Sequence, residues 1–262
     1  MGSGSLKKYN RINELKYNNQ GCLMKIVEYN NANDIIVEFQ DKYMARIHTK
    51  YQHFLSGNIK NPYHPSVYEV GTIGNKYYNK NNSIKEYEAW FGMLTRCYDK
   101  KYKDKYPTYQ NAVCCDEWLY FDNFYEWLHN QPNFDKWLNG ERWSIDKDIL
   151  VKRNKIYSPE TCCLVPQNVN SLFVKTDKNR GNFPIGVTYD SRIGKYITQC
   201  KNQLLNGSSY RNTYNTPEKA FYSYKKYKEN LIKQVAEKEY DNGNITKQCY
   251  DAMMNYEVEI TD

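Results

Sequence analysis

The stretch SIDKDILVKRNKIYSPETCCLVPQNVN, which spans Ser144–Asn170, decides the fold. Its polar cluster at 146–148 lies between Ile145 and Ile149, and this spacing predicts a strand that carries acids. Pro166 predicts the start of a helix that runs to about residue 173. An acid after a strand and an amide on the next helix can share one divalent metal, as in small metal-dependent nucleases. The stretch contains no histidine, which puts this activity in question.

The composition is that of a folded protein with a modest positive charge. The chain has 262 residues, which allows two or three domains at roughly 100–200 residues each. The 27 tyrosines, together with many lysines and asparagines, have two interpretations. One is the codon bias of an AT-rich genome, and the other is a nucleic-acid surface on which aromatic rings stack and lysines supply charge. The net charge of +7 is compatible with phosphate binding.

Several classes of protein are not expected. No apolar run approaches the ~18 residues of a membrane span. The N-terminal MGSGS looks like an artificial lead-in and is left out of the fold prediction. Eight cysteines without a signal peptide predict reduced thiols and a cytoplasmic protein. Zinc is not expected, because the cysteine spacing differs from C-x-x-C. Cys97, Cys114 and Cys163 could converge on a metal, but small buried side chains are the favoured interpretation.

The N-terminal part, residues 21–77, is predicted to form a small open β-barrel. Alternating apolar residues over 24–39, interrupted by an Asn-rich turn, predict a hairpin. Tyr43–Ile47 predicts a third strand, and short apolar stretches continue the barrel. Residues 6–20 are expected to be a loose lead-in, and the polar stretch 75–83 predicts a linker.

The central part is predicted to be mainly helical before the opening stretch. Apolar residues at helical spacing predict an amphipathic helix over 84–100. A second aromatic stripe, from Trp118 to Leu128, is interpreted as helical core. Residues 101–112 and 132–143 are expected to be loops.

The C-terminal part predicts a sheet with one packed helix. Strand, turn, strand, Asn-Gly turn and strand follow one another over 184–214. Thr216 as N-cap and Pro217 at the first helical position predict a long helix. Residues 241–262 predict a polar, partly acidic tail with a short helix at about 245–255.

Three central pieces resemble the phage HNH-type homing endonucleases. They are WFGMLTRCY (Trp90–Tyr98), VCCDEWLYFDNFYEW (Val113–Trp127) and the IDKDILVKRNKIYSPETCCLVPQNVN block. The segment Pro184–Glu239, with PIGVTYDSRIGKYITQC and NTPEKAFYSYKKYK, is similar to the AP2-type DNA-binding domain often appended to these enzymes. The N-terminal module looks like a small SH3-like barrel found in front of such proteins.

The resemblance implies an α+β fold with three modules and a tail. The expected modules are an SH3-like β-barrel over 21–77, an HNH-like ββα core with flanking helices over 84–175, and an AP2-like three-stranded sheet plus helix over 180–240. Residues 241–262 would be the tail.

The resemblance also implies an active site. Asp146 matches the acidic metal ligand, and Lys147 occupies the place of the general-base histidine. Asn170, or alternatively Asn168, matches the amide that completes the site for Mg²⁺ or Mn²⁺. Thr161 lies where the family often has asparagine.

The role of Lys147 stays open between three alternatives. Lysine is protonated near neutral pH unless it is strongly desolvated, so it is a poor substitute for histidine as a base. It could bind the scissile phosphate instead, another group could act as base, or the site could be inactive. Asp148 is a candidate second acid, but on a strand it should point away from Asp146. The plain interpretation of both acids is a solvated turn.

The AP2-like sheet predicts DNA contacts, because a three-stranded sheet can lie in a groove and read bases from its exposed face. The candidate residues are Arg180, Tyr189, Arg192, Lys195, Tyr196, Lys201 and Arg211. Lysines in the linkers, including Lys175 and Lys178, and the loop 100–105 would add phosphate contacts. The helical Lys225, Lys226 and Lys228 are expected to be solvated.

Three functions follow as hypotheses. The first is metal-dependent cleavage or nicking of double-stranded DNA. The second is a catalytically inactive DNA-binding or regulatory protein, which the missing histidine favours. The third is a phage protein that inhibits a host defence complex, in the manner of an anti-CRISPR protein, by binding a host protein or a guide-RNA complex. All three predict a cytoplasmic protein, in the host cytoplasm if a phage encodes the chain.

Overall fold

The computed structural model describes residues 10–78, 81–174, 183–202, 204, 209–260 and 262. The protein is α+β, as expected, and its described strands form small sheets, none of which closes into a barrel. Two compact units are present, Met1–Lys105 with Asp116–Tyr125, and Tyr106–Cys115 with Glu126–Asp262. The division between the two units falls inside the predicted central module, 84–175, and the predicted domain boundaries stay a prediction.

The first unit is built on a four-stranded antiparallel meander, whose strands are β1 (Leu15–Tyr17), β2 (Leu23–Asn31), β3 (Asp34–Phe39) and β4 (Arg46–Thr49). The expected hairpin is confirmed as β2 and β3. Alternate residues of both strands, such as Met24, Ile26 and Val37, are fully buried in the core. The remaining side chains of these strands face outward, which gives the period-two pattern seen in the sequence.

Three expectations for this unit are wrong. The lead-in contains β1, because its backbone pairs with β2 without needing apolar side chains. The third strand begins at Arg46, later than expected. Residues Tyr51–Ser56 form helix α1, which buries Phe54 and ends where Gly57 takes a left-handed φ of 72°. Short apolar runs alone do not distinguish a buried strand from one buried helical turn.

The same unit contains α2 (Ile84–Tyr98) and α3 (Lys100–Lys105). The amphipathic helix is confirmed as α2, and its indole Trp90 donates from Nε1 to the Trp118 carbonyl over 2.7 Å. The loop expected over 101–112 is instead partly helical. Asp99 accepts a hydrogen bond from the Tyr102 amide at 2.7 Å, so it caps the first turn of α3.

Helix α4 (Phe121–His129) contains the predicted aromatic stripe from Phe121 onward, with Phe121, Phe124 and Leu128 fully buried, and Trp118 lies in a short 3-10 turn before it. The loop expected over 132–143 contains α5 (Phe134–Leu138) and the first residue of the next strand, Trp143.

The second unit holds two short strand pairs. The parallel pair is β5 (Val113–Cys114) with β7 (Ile156–Tyr157), and the antiparallel pair is β6 (Trp143–Asp146) with β8 (Cys163–Pro166). Helix α6 (Gln167–Phe173) follows β8 directly and packs against β6 and β8. The expected helix after Pro166 is therefore confirmed, and β6, β8 and α6 form a ββα arrangement.

The C-terminal sheet and helix are also confirmed. Strands β9 (Val187–Asp190), β10 (Lys195–Lys201) and β11 (Ser209–Tyr214) pair antiparallel in the order β11-β10-β9, and α7 (Pro217–Asp241) packs against them. The Thr216 hydroxyl accepts from the Lys219 amide, as an N-cap should. Gly186 precedes β9 with a φ of 74°, and a side chain there would clash with the Tyr224 ring.

The segment predicted as a polar tail packs into the core of this unit. It forms α8 (Lys247–Met254), whose Cys249 and Met253 are fully buried beside Leu231 and Ile232 of α7. Across the part of the chain that is described, none of the helices has the length and apolar character needed to cross a bilayer.

Candidate functional site

Asp146 ends β6 and closes a tight turn. Its Oδ1 accepts hydrogen bonds from the backbone amides of Asp148 at 2.7 Å and Ile149 at 2.9 Å. The strand expected through Ile149 is wrong, because this side chain draws the backbone out of the strand. The alternation that was expected to separate the two acids therefore does not apply. Burial raises the pKa of Asp146 against the opposing effect of the backbone amides.

Lys147 is held inside the protein. Its side chain ammonium donates to Asp148 Oδ2 at 2.6 Å and to the Asn154 carbonyl at 2.9 Å. The residue is 6% exposed, and its ammonium lies 5.8 Å from the centre of the Tyr157 ring. Both partners are acceptors, so Lys147 donates to each of them and these two hydrogen bonds hold its side chain in place. This geometry supports a structural ion pair more than a base or a phosphate ligand.

Asn154 organises the loop around this ion pair. Its Nδ2 donates to the carbonyls of Lys147 at 2.8 Å and Ile156 at 2.6 Å, while its Oδ1 accepts from the Ile156 amide. Arg153 beside it takes a left-handed φ of 62°. The sequence analysis did not single out Asn154. The available signal was an asparagine directly after the basic pair Lys152-Arg153, since asparagine side chains often bond the backbone of turns.

The two candidate amides on α6 differ in availability. Asn168 donates to Glu239 Oε1 on α7 at 2.7 Å, and Asn244 donates to the other oxygen of that carboxylate. Glu239 is only 5% exposed, so Asn168 is part of a buried polar contact. Asn170 is half-buried and makes no side-chain hydrogen bond within the described residues. Of the two, Asn170 remains an available oxygen donor.

The donor set for a divalent metal is small. Asp146 Oδ2 and the Asn170 amide accept no hydrogen bond from the described residues, whereas Asp148 is paired with Lys147. In the described ranges, no group of three or more His, Cys, Asp and Glu side chains is arranged to hold a metal. Mg²⁺ is commonly held by one or two carboxylates plus waters and substrate phosphates, and Asp146 would supply one such carboxylate.

The cysteines expected to be core residues are buried. Cys97, Cys114 and Cys163 are each less than one-tenth exposed. Burial also raises the pKa of the Cys162 thiol to about 12, which makes its thiolate scarce at neutral pH. Thr161 donates to the Ile156 carbonyl at 2.7 Å and so stabilises the turn before β8.

The C-terminal sheet has two distinct faces, which β10 defines by its alternation. The Thr198 hydroxyl donates to the Ala220 carbonyl at 2.6 Å, so the face with Tyr196, Thr198 and Cys200 is covered by α7. The opposite side is here called the open face. It carries Lys195, Ile197, Gln199 and Lys201 from β10, together with their cross-strand partners Thr188, Asp190, Ser209, Arg211 and Thr213.

The open face is polar apart from the buried Ile197, and Lys195 and Asp190 on it are half-buried. Gln199 pairs directly with Arg211 across the β10–β11 register, and both side chains are exposed. Lys201 is also exposed, while Lys195 is half-buried and donates to the Asn215 side chain. Three of the predicted DNA contacts, Lys195, Lys201 and Arg211, therefore share one face.

The two predicted tyrosines lie on the other face. Tyr189 pairs with Tyr196 in register, and their ring centroids are 5.0 Å apart. Phe183 packs edge-on against Tyr196 at 5.5 Å. These rings form an aromatic cluster on the helix side, although Tyr189 keeps 47% of its surface exposed.

The remaining predicted contacts are an arginine in the turn and an arginine in the linker. Arg192 donates from Nη2 and Nε to the two carboxylate oxygens of Asp190, at 2.9 and 3.1 Å. This bidentate pair lowers the pKa of Asp190 and compensates the charge of Arg192. Arg180, Lys175 and Lys178 lie outside the described residues.

Comparison with known proteins adds no assignment. The chain matches no protein-family model, and it has no significant match among curated proteins or solved structures. The function is therefore argued from the geometry of the open face and of the ββα unit.

Proposed function

We propose that the protein binds double-stranded DNA through the open face of its C-terminal sheet. The observation that carries this proposal is the register that aligns Lys195, Lys201 and Arg211 on one solvent-facing side. Lysine and arginine neutralise backbone phosphates, and arginine and glutamine are also the side chains that pair with guanine and adenine edges. Arg211 and its cross-strand neighbour Gln199 therefore provide one side chain suited to guanine and one suited to adenine.

The dimensions of the sheet agree with this proposal. Three neighbouring strands span about 10 Å between the outer backbones, and the major groove of B-DNA is ~12 Å wide. Helix α7 covers the opposite face, which leaves the open face unobstructed by that helix. This sheet and helix support an AP2-like assignment of the C-terminal part, and β6, β8 and α6 support an HNH-like core.

Fluorescence anisotropy with a short labelled DNA duplex tests the proposal. The variant Lys201→Ala/Arg211→Ala should lower the affinity more than 10-fold and reduce the slope of log K against log salt by about 1.8, because two phosphate contacts are lost. The control is Lys226→Ala/Lys233→Ala, which removes the same charge from exposed positions on α7. Equal losses in both variants would show that overall charge, and not the open face, determines binding.

Metal-dependent cleavage of the DNA is a second candidate, favoured by the ββα arrangement and by the available oxygens of Asp146 and Asn170. These two residues would hold Mg²⁺ or Mn²⁺, which neutralises charge on a phosphate when bound. Lys147 would support the turn that presents Asp146 and would not take a proton, since its ammonium is engaged by Asp148 and Asn154.

A nicking assay on supercoiled plasmid with Mg²⁺ or Mn²⁺ decides this second candidate. Asp146→Asn is the informative variant, because the amide oxygen can still accept the two backbone hydrogen bonds while the negative charge is lost. Loss of nicking with an unchanged melting temperature supports the metal-ligand role. If the unmodified protein nicks the plasmid with neither metal, cleavage is rejected and DNA binding alone stands as the proposed function. Inhibition of a host defence complex stays a prediction of the sequence.

A further inference from the structure

The basic loop between β6 and β7 is in direct contact with acidic groups from the end of the described chain. The ammonium of Lys152 lies 2.8 Å from Asp262 Oδ2 and 3.2 Å from Glu259 Oε1. It also donates to the Glu257 carbonyl at 2.7 Å. Lys152 therefore has three oxygen partners, all from residues about a hundred positions away in the sequence.

Arg153 completes this contact. Its Nη2 lies 2.7 Å from Glu259 Oε2 and 3.5 Å from Asp262 Oδ1. Its left-handed φ of 62° is uncommon for a residue with a long side chain, and it turns consecutive cations toward the same two carboxylates. Glu259 and Asp262 are here called the acidic clasp, and Lys152 and Arg153 the basic loop.

The acidic clasp is attached to the protein independently of the basic loop. The Val258 amide donates to Glu229 Oε1 at 2.8 Å, and Lys225 donates to the Val258 carbonyl at 2.8 Å. Val258 is buried in the core, and Tyr256 packs edge-on against Phe173. These contacts hold the preceding residues on α7 and α6, so the attachment of the segment does not depend on the ion pairs with the basic loop alone.

The contact is accessible at its rim. Side chains of Arg153 and Glu259 are 52% and 47% exposed, whereas that of Asp262 is 2% exposed. An exposed ion pair contributes little to stability and is weakened by salt. A polyanion can therefore reach Arg153 first and compete with Glu259 for it.

We propose that the basic loop is a second phosphate-binding site, held here by the acidic clasp, and that a nucleic-acid backbone displaces the clasp. This inference rests on the proposed DNA-binding function. The carboxylates stand in for phosphate oxygens, since both are anions that lysine and the arginine fork bind by charge-assisted hydrogen bonds. The clasp thus lowers the affinity for nucleic acid until enough phosphates engage the loop.

The test compares duplex binding by the unmodified protein and by Glu259→Gln/Asp262→Asn. Removing the two competing charges should raise the affinity on the order of 10-fold and steepen the salt slope by about 1.8, as expected for two newly available cations. The control Glu218→Gln/Glu237→Gln removes two exposed carboxylates from α7 and should leave the salt slope unchanged. Adding Lys152→Ala/Arg153→Ala to the clasp variant should abolish the gain.

Asp262 is buried, so its replacement could disturb folding. The single variant Glu259→Gln changes only the exposed partner and should give a smaller gain of the same sign. Equal affinities and salt slopes in the clasp variants and in the control would overturn the inference and assign the contact a purely structural role.

The outcomes also separate this inference from the proposed function. Binding that depends on Lys201 and Arg211 but is unaffected by the clasp variants refutes the second site alone. Binding that appears only in the clasp variant and is lost with Lys152 and Arg153 refutes the open face alone. An absence of duplex binding in every variant refutes both.

Discussion

Lys147 offers the sharpest test of the central block, because a structural role and a catalytic role predict different results. Its ammonium donates to the carboxylate of Asp148 and to the carbonyl of Asn154, and the residue is 6% exposed. Replacing it with alanine removes both donors and the aliphatic stem. Replacing it with methionine keeps most of the stem and removes only the charge and the donors.

The expected loss of stability follows from these contacts. A hydrogen bond to a charged partner contributes about 1.5–3 kcal/mol, and leaving a buried carbonyl without its donor costs about 1–3 kcal/mol. The Asp148 side chain is 43% exposed, so water replaces part of the lost interaction. We therefore expect the free energy of unfolding to fall by about 2–3 kcal/mol in Lys147→Ala and by about 1–2 kcal/mol in Lys147→Met, which keeps most of the aliphatic stem.

Thermal melting gives the overall effect, and hydrogen exchange of peptides over 143–157 localises it. A loss of this size should lower the melting temperature by roughly 5–10 °C for Lys147→Ala in a chain of this length. Lys155→Ala is the matched control, since Lys155 is an exposed lysine of the same loop and should change the stability by less than about 0.5 kcal/mol. If Lys147→Ala is as stable as the control and the exchange of 143–157 is unchanged, the structural ion pair is refuted.

Three further outcomes are expected. Asp190→Asn should release Arg192 from its bidentate carboxylate, which raises duplex affinity and steepens the salt slope by about 1 in anisotropy titrations. Gly186→Ala should cost about 2–4 kcal/mol in urea unfolding, from left-handed strain and a tyrosine clash, whereas Gly194→Ala has open space and should cost only about 1–2 kcal/mol. The lysine beside Glu259 lowers the pKa of that carboxyl. The ion pair of Glu259 therefore contributes to stability above the usual pKa range of glutamate, and this contribution is lost as the pH falls through the lowered pKa. The difference in stability between the unmodified protein and Glu259→Gln should vanish in acid.

Local sequence patterns were sufficient to predict those helices and strands that bury one face. Period-two alternation predicted the β2–β3 hairpin, because a buried face requires apolar residues at every second position, and the succession of strands and turn residues predicted the three strands of the C-terminal sheet. Thr216 and Pro217 predicted the start of α7, because an N-cap acts through its nearest backbone amides. In these elements, the decisive interactions lie within a few residues or repeat regularly along the chain.

The central site was less predictable, because side-chain contacts there override the local pattern. Spacing of Ile145 and Ile149 suits a strand, yet the Asp146 carboxylate captures two backbone amides and starts a turn. The pairing of Asn168 with Glu239 joins residues that are 71 positions apart, and no periodicity in either segment indicates it. The split of the predicted DNA contacts between two faces needed the strand register, which the sequence of the strands alone does not determine.

The distribution of compensated charge is consistent with the nucleic-acid partner proposed above. Arg192 and Lys147 each contact a neighbouring carboxylate, so their positive charge is largely neutralised within the protein. Lys195, Lys201 and Arg211 form no ion pair with the residues that the structure describes, although they lie on one small sheet. Asp190 lies on the same face opposite Lys195 and interacts electrostatically with Arg211, so this one carboxylate faces three cations as well as Arg192. An anionic partner that contacts β10 and β11 would neutralise these three cations, and the salt dependence of duplex binding measures how many of them it engages.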